Sequence, residues 1–193
     1  MRRAMDVREA IRVRRAYRSL DPVEITDELI NDLAWHAGMS ASCFNNQPWR
    51  FVFVRDPAVL EQLHQALPRG NAWARHASMI IAVFSRPEDD CIIRGRQYNL
   101  FDTGMAAAFL ILRATELRLV AHPIGGYKED VAKQVLGIPE GMQVITLINV
   151  GKYAETVYDY LSDDQKESEL VRPERLPFEG FAYIDRYTGE VKG

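Results

Sequence analysis

Three arginines near the N-terminus are the first residues whose type and spacing could do chemistry. Arg14, Arg15 and Arg18 lie within five consecutive positions. A guanidinium group offers a planar fork of N–H donors that matches phosphate oxygens, and each charge-assisted hydrogen bond contributes about 1.5 to 3 kcal/mol where water is excluded. The cluster therefore indicates a phosphate site, and a solvated basic helix face is the alternative interpretation.

The segment SCFNNQPW at 42–49 is the second candidate. The carboxamides of Asn45 and Gln47 and the hydroxyl of Ser42 both donate and accept hydrogen bonds, so they can read the edge of a planar heterocycle. Pro48 cannot continue a helix and favours an extended residue before it, which predicts a loop that leads into a strand. A generic polar turn is the alternative.

The segment HPIGGY at 122–127 is the third candidate. Gly125 and Gly126 allow another group to approach the backbone closely, and their amide N–H groups can point at a ligand. A plain turn between a strand and a helix would have the same composition.

The periodicity of apolar residues predicts the elements that must position these groups. Asp6 and Thr26 are expected to cap two helices, the second of which Gly38 closes. Further predicted helices span 102–117 and 130–136, and predicted strands span 49–54, 79–84, 144–150 and 181–184. The helix at 102–117 is apolar on nearly every side, which indicates a central or subunit-interface position. Residues 151–177 are predicted to be charged and irregular.

The bulk composition excludes several classes of protein. The chain has 193 residues, which suits a single domain. A formal charge of -3 argues against a polyanion-binding surface, so no nucleic-acid partner is expected. No stretch approaches the roughly 18 apolar residues of a membrane span, and no apolar segment follows the basic N-terminus, so no membrane partner and a cytoplasmic location are predicted.

The two cysteines and four histidines carry no recognisable motif. Cys43 and Cys91 lie far apart without metal-type spacing, which predicts neither a CxxC site nor a disulfide framework, and no metal. Redox chemistry would then come from a bound cofactor. The histidines form no catalytic pattern, and no side chain is predicted to act as an obligatory acid, base or nucleophile.

Taken together, these segments resemble the nitroreductase family of flavoproteins over roughly 7–153, with a looser similarity at 172–177. Residues 14–18, RRAYR, resemble the family's opening RRSxR, and residues 42–49 resemble the end of its PSSxNxQPW motif. Three departures stand out: Ala16 replaces the usual serine and loses a hydroxyl contact, Cys43 replaces the second serine, and Ala41 replaces the proline. Residues 102–117 resemble the family's long central helix.

The resemblance implies an α+β nitroreductase-like fold, with a central mostly antiparallel sheet flanked by helices. The single domain would span 1–193, with a core at about 6–153 and a C-terminal extension at about 154–193 that wraps over the body or over a partner subunit. It also implies a homodimer with two flavin mononucleotide (FMN) sites at the subunit interface.

The resemblance further assigns the cofactor-binding residues. Arg14, Arg15 and Arg175 would hold the FMN phosphate, near position 16, and Arg18 would lie at the pyrimidine end of the ring. The loop residues Ser42, Cys43, Asn45 and Gln47 would line the ring and the ribityl chain. The backbone N–H groups of Gly125 and Gly126 would face the ring nitrogen that accepts hydride, and Asn71 is a further contact or only a turn residue.

The implied activity is oxidation of NADH or NADPH through FMN, by ping-pong kinetics, with a nitroaromatic, quinone or related small molecule as electron acceptor. Reductive dehalogenation and flavin processing are alternative reactions on the same fold. A non-catalytic flavin-binding or storage protein is an alternative of another class.

Overall fold

A five-stranded sheet forms the middle of the protein. A computed structural model describes residues 5–189 of the chain. All of its pairs are antiparallel, and β7 pairs with β3 and β1 along one edge and with β6 along the other. The strands are β1 (Leu20–Asp21), β2 (Arg50–Val54), β3 (Met79–Ser85), β6 (Leu119–Ile124) and β7 (Gln143–Tyr153). A separate hairpin consists of β4 (Ile92–Ile93) and β5 (Arg96–Gln97).

Helices cover both faces of this sheet. Every residue of β3 is buried, and its side chains alternate between two apolar clusters, as the two-residue repeat of a strand requires. One cluster includes side chains of α2 (Asp27–Gly38) and α4 (Asn99–Glu116). The other includes side chains of α3 (Pro57–Leu63) and α5 (Glu129–Leu136). The expected α+β fold with a mostly antiparallel sheet is confirmed.

Local capping fixes where the helices begin. Asp6 accepts a hydrogen bond from the N–H of Glu9 at 2.8 Å and starts α1 (Val7–Val13). Thr26 accepts one from Leu29 at 3.2 Å and starts α2. Both caps were expected from the sequence because a short polar side chain before an apolar repeat satisfies a free backbone N–H. The central helix α4 begins at Asn99, three residues before its predicted start.

The C-terminal extension differs from its prediction in two places. Residues 163–170 form a helix, α6 (Asp163–Leu170), inside the stretch predicted to be irregular. Ser162 and Gln165 form a reciprocal capping box that starts it. The predicted strand at 181–184 is wrong: Ala182 and Phe181 donate back to the carbonyl of Phe178, which closes a turn instead of extending the chain. Within residues 5–189, no helix has the length and apolar character needed to cross a bilayer.

Candidate functional site

Guanidinium groups from both ends of the chain meet just beyond α1. Burial lowers the pKa of Arg14, and the nearby charges of Arg172 and Arg175 lower it further. Arg172 donates to the carbonyl of Arg14 at 2.9 Å and also to the carbonyl of Arg12. Like charges that are held together and partly withdrawn from water repel one another. A bound anion would relieve this repulsion, so the cluster forms a candidate anion site. The sequence alone did not point to Arg172, although its three-residue spacing from Arg175 was a usable signal.

Arg15 is largely engaged with the C-terminal extension. Its Nη2 atom donates to the carbonyls of Ser168 at 2.8 Å and Val171 at 3.1 Å, and its guanidinium lies 4.6 Å from the centre of the Tyr17 ring. These contacts hold the extension against the N-terminal segment. The predicted phosphate role of Arg15 stays a prediction, and Ala16 lies exposed beside it.

A buried carboxylate of α6 fixes the segment that carries Arg18. Glu169, only 5% exposed, accepts the backbone N–H of Arg18 at 2.9 Å and that of Ser19 at 3.0 Å. Its carboxylate also lies 3.9 Å from Nη1 of Arg18. Charge-assisted hydrogen bonds of this kind are the stronger class. Glu169 therefore positions Arg18, a role for which the sequence gave no signal.

His122 on β6 ties the same segment to the sheet. Its Nδ1 atom donates to the carbonyl of Tyr17 at 3.0 Å, which leaves Nε2 without a proton in the neutral ring. Burial lowers the pKa of His122 to about 4, and the charges of Arg18 and Arg14 act in the same direction. The ring also packs 4.6 Å from that of Trp73. The histidine is structural and neutral near pH 7.

Asn71 holds the glycine pair that follows β6. Its Nδ2 atom donates to the carbonyl of Gly126 at 2.8 Å, and its Oδ1 accepts from the indole of Trp73 at 3.3 Å. A Cβ atom at Gly126 would lie 2.8 Å from Nδ2 of Asn71, so a larger residue here would displace the Asn71 carboxamide. Open space surrounds the corresponding point at Gly125. Contacts through Trp73 and His122 thus connect Gly126 to residues 14–18, called the arginine segment below.

The 42–47 loop has an unusual backbone. Phe44, Asn45 and Gln47 have φ angles of 48°, 59° and 50°, a left-handed conformation that non-glycine residues seldom adopt. Ser42 accepts the N–H of Gln47 at 3.0 Å, which closes the loop on itself. The exposed side chains of Asn45 and Gln47 are consistent with a ligand-facing surface. Their predicted flavin contacts stay predictions.

Two contacts at Cys43 attach this loop to the body. Its N–H donates to Asp102 of α4 at 2.6 Å, and burial raises the pKa of that carboxyl group. Cys43 is also joined to Cys91 by a disulfide, with Cα atoms 6.0 Å apart. The prediction of no disulfide is therefore wrong. Spacing along the chain carries no information here, because packing of the loop against the 86–98 segment brings the two residues together.

The candidate residues fall into two groups at opposite edges of the sheet. The 42–47 loop precedes β2, whereas Gly125 and Gly126 follow β6, and β3 and β7 lie between these strands. Three strand spacings put the edges about 14 Å apart. The arginines, Asn71 and the glycines form one group, and the loop forms the other.

These features define an α+β protein with a cationic, glycine-bordered site suited to an anionic planar ligand. The chain belongs to the nitroreductase family, since the family model described as Nitroreductase family matches residues 11–72 and 61–152.

Individual relatives cover most of the chain. A protein of Archaeoglobus fulgidus, named for NADH dehydrogenase and NAD(P)H nitroreductase activities, is 26% identical over 171 residues, which are 86% of this chain and 95% of that protein. A crystal structure described as an oxidoreductase containing FMN is 30% identical, has a TM-score of 0.80, and covers 92% of this chain and 90% of its own. An iodotyrosine deiodinase of Haliscomenobacter hydrossis is 26% identical over 170 residues, 74% of this chain and 77% of its own.

Acid should destabilise the protein through His122. The unfolded imidazole takes up a proton below pH 6.5, whereas the folded one stays neutral until about pH 4. The contribution of His122 to the free energy of unfolding is therefore fully present above pH 6.5. It falls by on the order of 3 kcal/mol as the pH drops to 4. In His122→Asn, which keeps a donor but does not titrate, urea unfolding should show a smaller loss between these pH values. An equal loss in both proteins would contradict this assignment.

Proposed function

We propose that this protein is an FMN-dependent NAD(P)H oxidoreductase that reduces nitroaromatic, quinone or related acceptors. The observation that carries the proposal is the convergence of Arg14, Arg172 and Arg175: burial lowers the pKa of Arg14, and repulsion from the other two charges lowers it further. A phosphate monoester would relieve that repulsion and accept several charge-assisted hydrogen bonds. Membership of the nitroreductase family and similarity to an FMN-containing oxidoreductase support FMN as the ligand whose phosphate binds here.

Each part of the site has a distinct task in this proposal. Arg14 and Arg175 hold the phosphate together with Arg172, while Arg15 anchors the extension. Arg18, positioned by Glu169, supplies positive charge near the pyrimidine end of the ring. Gly125 and Gly126, held by Asn71, present backbone N–H groups at the reactive edge. FMN, when bound, supplies the hydride-transfer chemistry.

The two substrates use one face in turn. NADH or NADPH would bind and leave before the acceptor enters, which predicts ping-pong kinetics. This scheme uses no side chain as an acid or a base. The protein contributes by orienting the reactants and by stabilising negative charge. His122, neutral and buried, acts only by positioning the arginine segment.

We infer a homodimer from the separation of the two residue groups and from the exposed apolar surface. The 42–47 loop lies across the sheet from the glycine pair, so a second subunit would supply it to each FMN site. Exposed apolar side chains of α1, of α4 and of the residue after α2, namely Val7, Phe109 and Met39, line a cavity of about 360 Å³. Exposed apolar side chains of the extension, including Phe181 and Ile184, would cover the partner's surface.

Phe109→Glu should shift the protein from dimer to monomer. Phe109 is 45% exposed on α4, so a charge there disturbs an interface more than the folded monomer. Sedimentation velocity over a range of concentrations checks both proteins. A wild-type protein that sediments as a monomer at every concentration would contradict the dimer.

Arg14→Ala should weaken FMN binding by on the order of 2 kcal/mol, roughly thirtyfold, because it removes a charge-assisted hydrogen bond to the phosphate. Arg12→Ala is the matched control, since its side chain is exposed and only its carbonyl contacts Arg172. Fluorescence titration with FMN and with riboflavin compares the variants. Equal FMN affinity in wild type and Arg14→Ala would remove Arg14 from the site.

The purified protein should show flavin absorbance bands that bleach when NADH or NADPH is added without oxygen. Colour should then return with a quinone or nitroaromatic acceptor, and steady-state rates should follow parallel double-reciprocal lines. Bands that neither donor bleaches would favour a flavin-storage protein. A colourless protein that takes up no added FMN would refute the proposed function.

Reductive dehalogenation is the second candidate reaction, and similarity to an iodotyrosine deiodinase favours it. It uses the same cofactor and the same arginine group, so the distinction lies in the acceptor. Release of halide from halogenated phenols at a rate above quinone or nitroaromatic reduction would assign the protein to that reaction.

A further inference from the structure

The Cys43–Cys91 disulfide joins two segments that belong to different parts of the fold. Cys43 lies in the 42–47 loop, and Cys91 lies in the 86–98 segment beside the β4–β5 hairpin. The disulfide joins residues 48 positions apart. It is the covalent tie between a loop expected to face the cofactor and a hairpin outside the main sheet.

The loop depends on such ties for its shape. Three of its residues, Phe44, Asn45 and Gln47, have left-handed backbone angles, which persist only where the surrounding structure imposes them. Packing of Phe44 does not impose its angle, because that side chain is 87% exposed. Polar and covalent contacts between this loop and the body lie at Cys43, at Asn46 and at the carbonyl of Gln47, which accepts from Arg50 of β2 at 2.9 Å.

The polar restraints are concentrated around the same disulfide. The N–H of Cys43 donates to Asp102, and Nδ2 of Asn46 lies 3.4 Å from both Oδ1 of Asp90 and the sulfur of Cys91. Asp90 in turn accepts the N–H of Cys91 at 2.8 Å. Opening the disulfide therefore removes the covalent tie at Cys43 and loosens the contacts of Asn46 beside it.

The two cysteine residues differ in exposure. Cys91 is 9% exposed, whereas Cys43 is half-buried at the edge of an exposed loop. A reducing thiolate would therefore attack Cys43. The Cys43–Cys91 bond breaks, a mixed disulfide forms at Cys43, and Cys91 leaves as a thiolate that the carboxamide of Asn46 can stabilise before protonation.

We propose that Cys43 and Cys91 form a reversible thiol–disulfide site that controls FMN affinity, and that its reductant is a dithiol. The second thiol of the reductant attacks the mixed disulfide and releases Cys43, so two electrons and two protons pass from the dithiol to the protein. The oxidised loop is preorganised for the cofactor, and the reduced loop is not. The regulatory part rests on the proposed function.

The experiment compares FMN affinity of the oxidised and reduced proteins. Wild type is treated with oxidised or reduced dithiothreitol, and thiols are counted under denaturing conditions before titration with FMN. The oxidised form should have no free thiol, and reduction should expose both cysteines. Reduction should weaken FMN binding about tenfold, because the loop loses its preorganised shape.

Cys91→Ser provides the matched variant, since Cys91 lies outside the cofactor-binding residues. It should bind FMN as weakly as reduced wild type and should not respond to dithiothreitol. Should this variant fail to fold, the comparison of the two wild-type forms still decides. Equal FMN affinity after complete reduction, or two free thiols in the oxidised sample, would overturn the inference. Absence of FMN binding in both forms would instead refute the proposed function.

Discussion

Pairing along both edges of β7 is the constraint on which the rest of the structure depends. This strand joins β3 and β1 on one edge to β6 on the other, so both apolar clusters are built against it. Its register places Leu147 opposite Ile124, directly before the glycine pair. A slip of one residue would turn each buried side chain toward the wrong face. The position of the site is therefore set by the same hydrogen bonds that order the core.

Polar contacts then extend this order to a segment without regular secondary structure. His122 holds the carbonyl of Tyr17, Glu169 holds the N–H groups of Arg18 and Ser19, and Arg172 holds the carbonyl of Arg14. Buried or partly buried polar groups are stable here because each has a partner. The backbone that carries Arg14 and Arg18 is consequently held in place before any ligand arrives, which reduces the entropy lost on binding.

Local signals in the sequence predicted the helix starts and the buried strands well. The cap at Thr26, the apolar run of β3 and the long apolar helix α4 all depend on neighbouring residues, and each was confirmed within a few positions. The resemblance also named Arg175, which the structure brings beside Arg14.

Contacts between distant segments could not be predicted in the same way. The Cys43–Cys91 disulfide and the hydrogen bonds of Glu169 to the N-terminal segment produce no periodic pattern in the sequence, because they depend on how finished elements pack. The capping box of α6 was a local signal that the charged composition of the extension concealed.

The hydrogen bonds of Glu169 have a consequence for the order in which the protein is made. The arginine segment leaves the ribosome first, yet its partners Glu169 and Arg172 are synthesised about 150 residues later. A chain interrupted before α6 would contain every strand of the sheet and still lack these partners. The N-terminal segment thus acquires its final geometry only after α6 and Arg172 have been synthesised, later than every strand of the sheet.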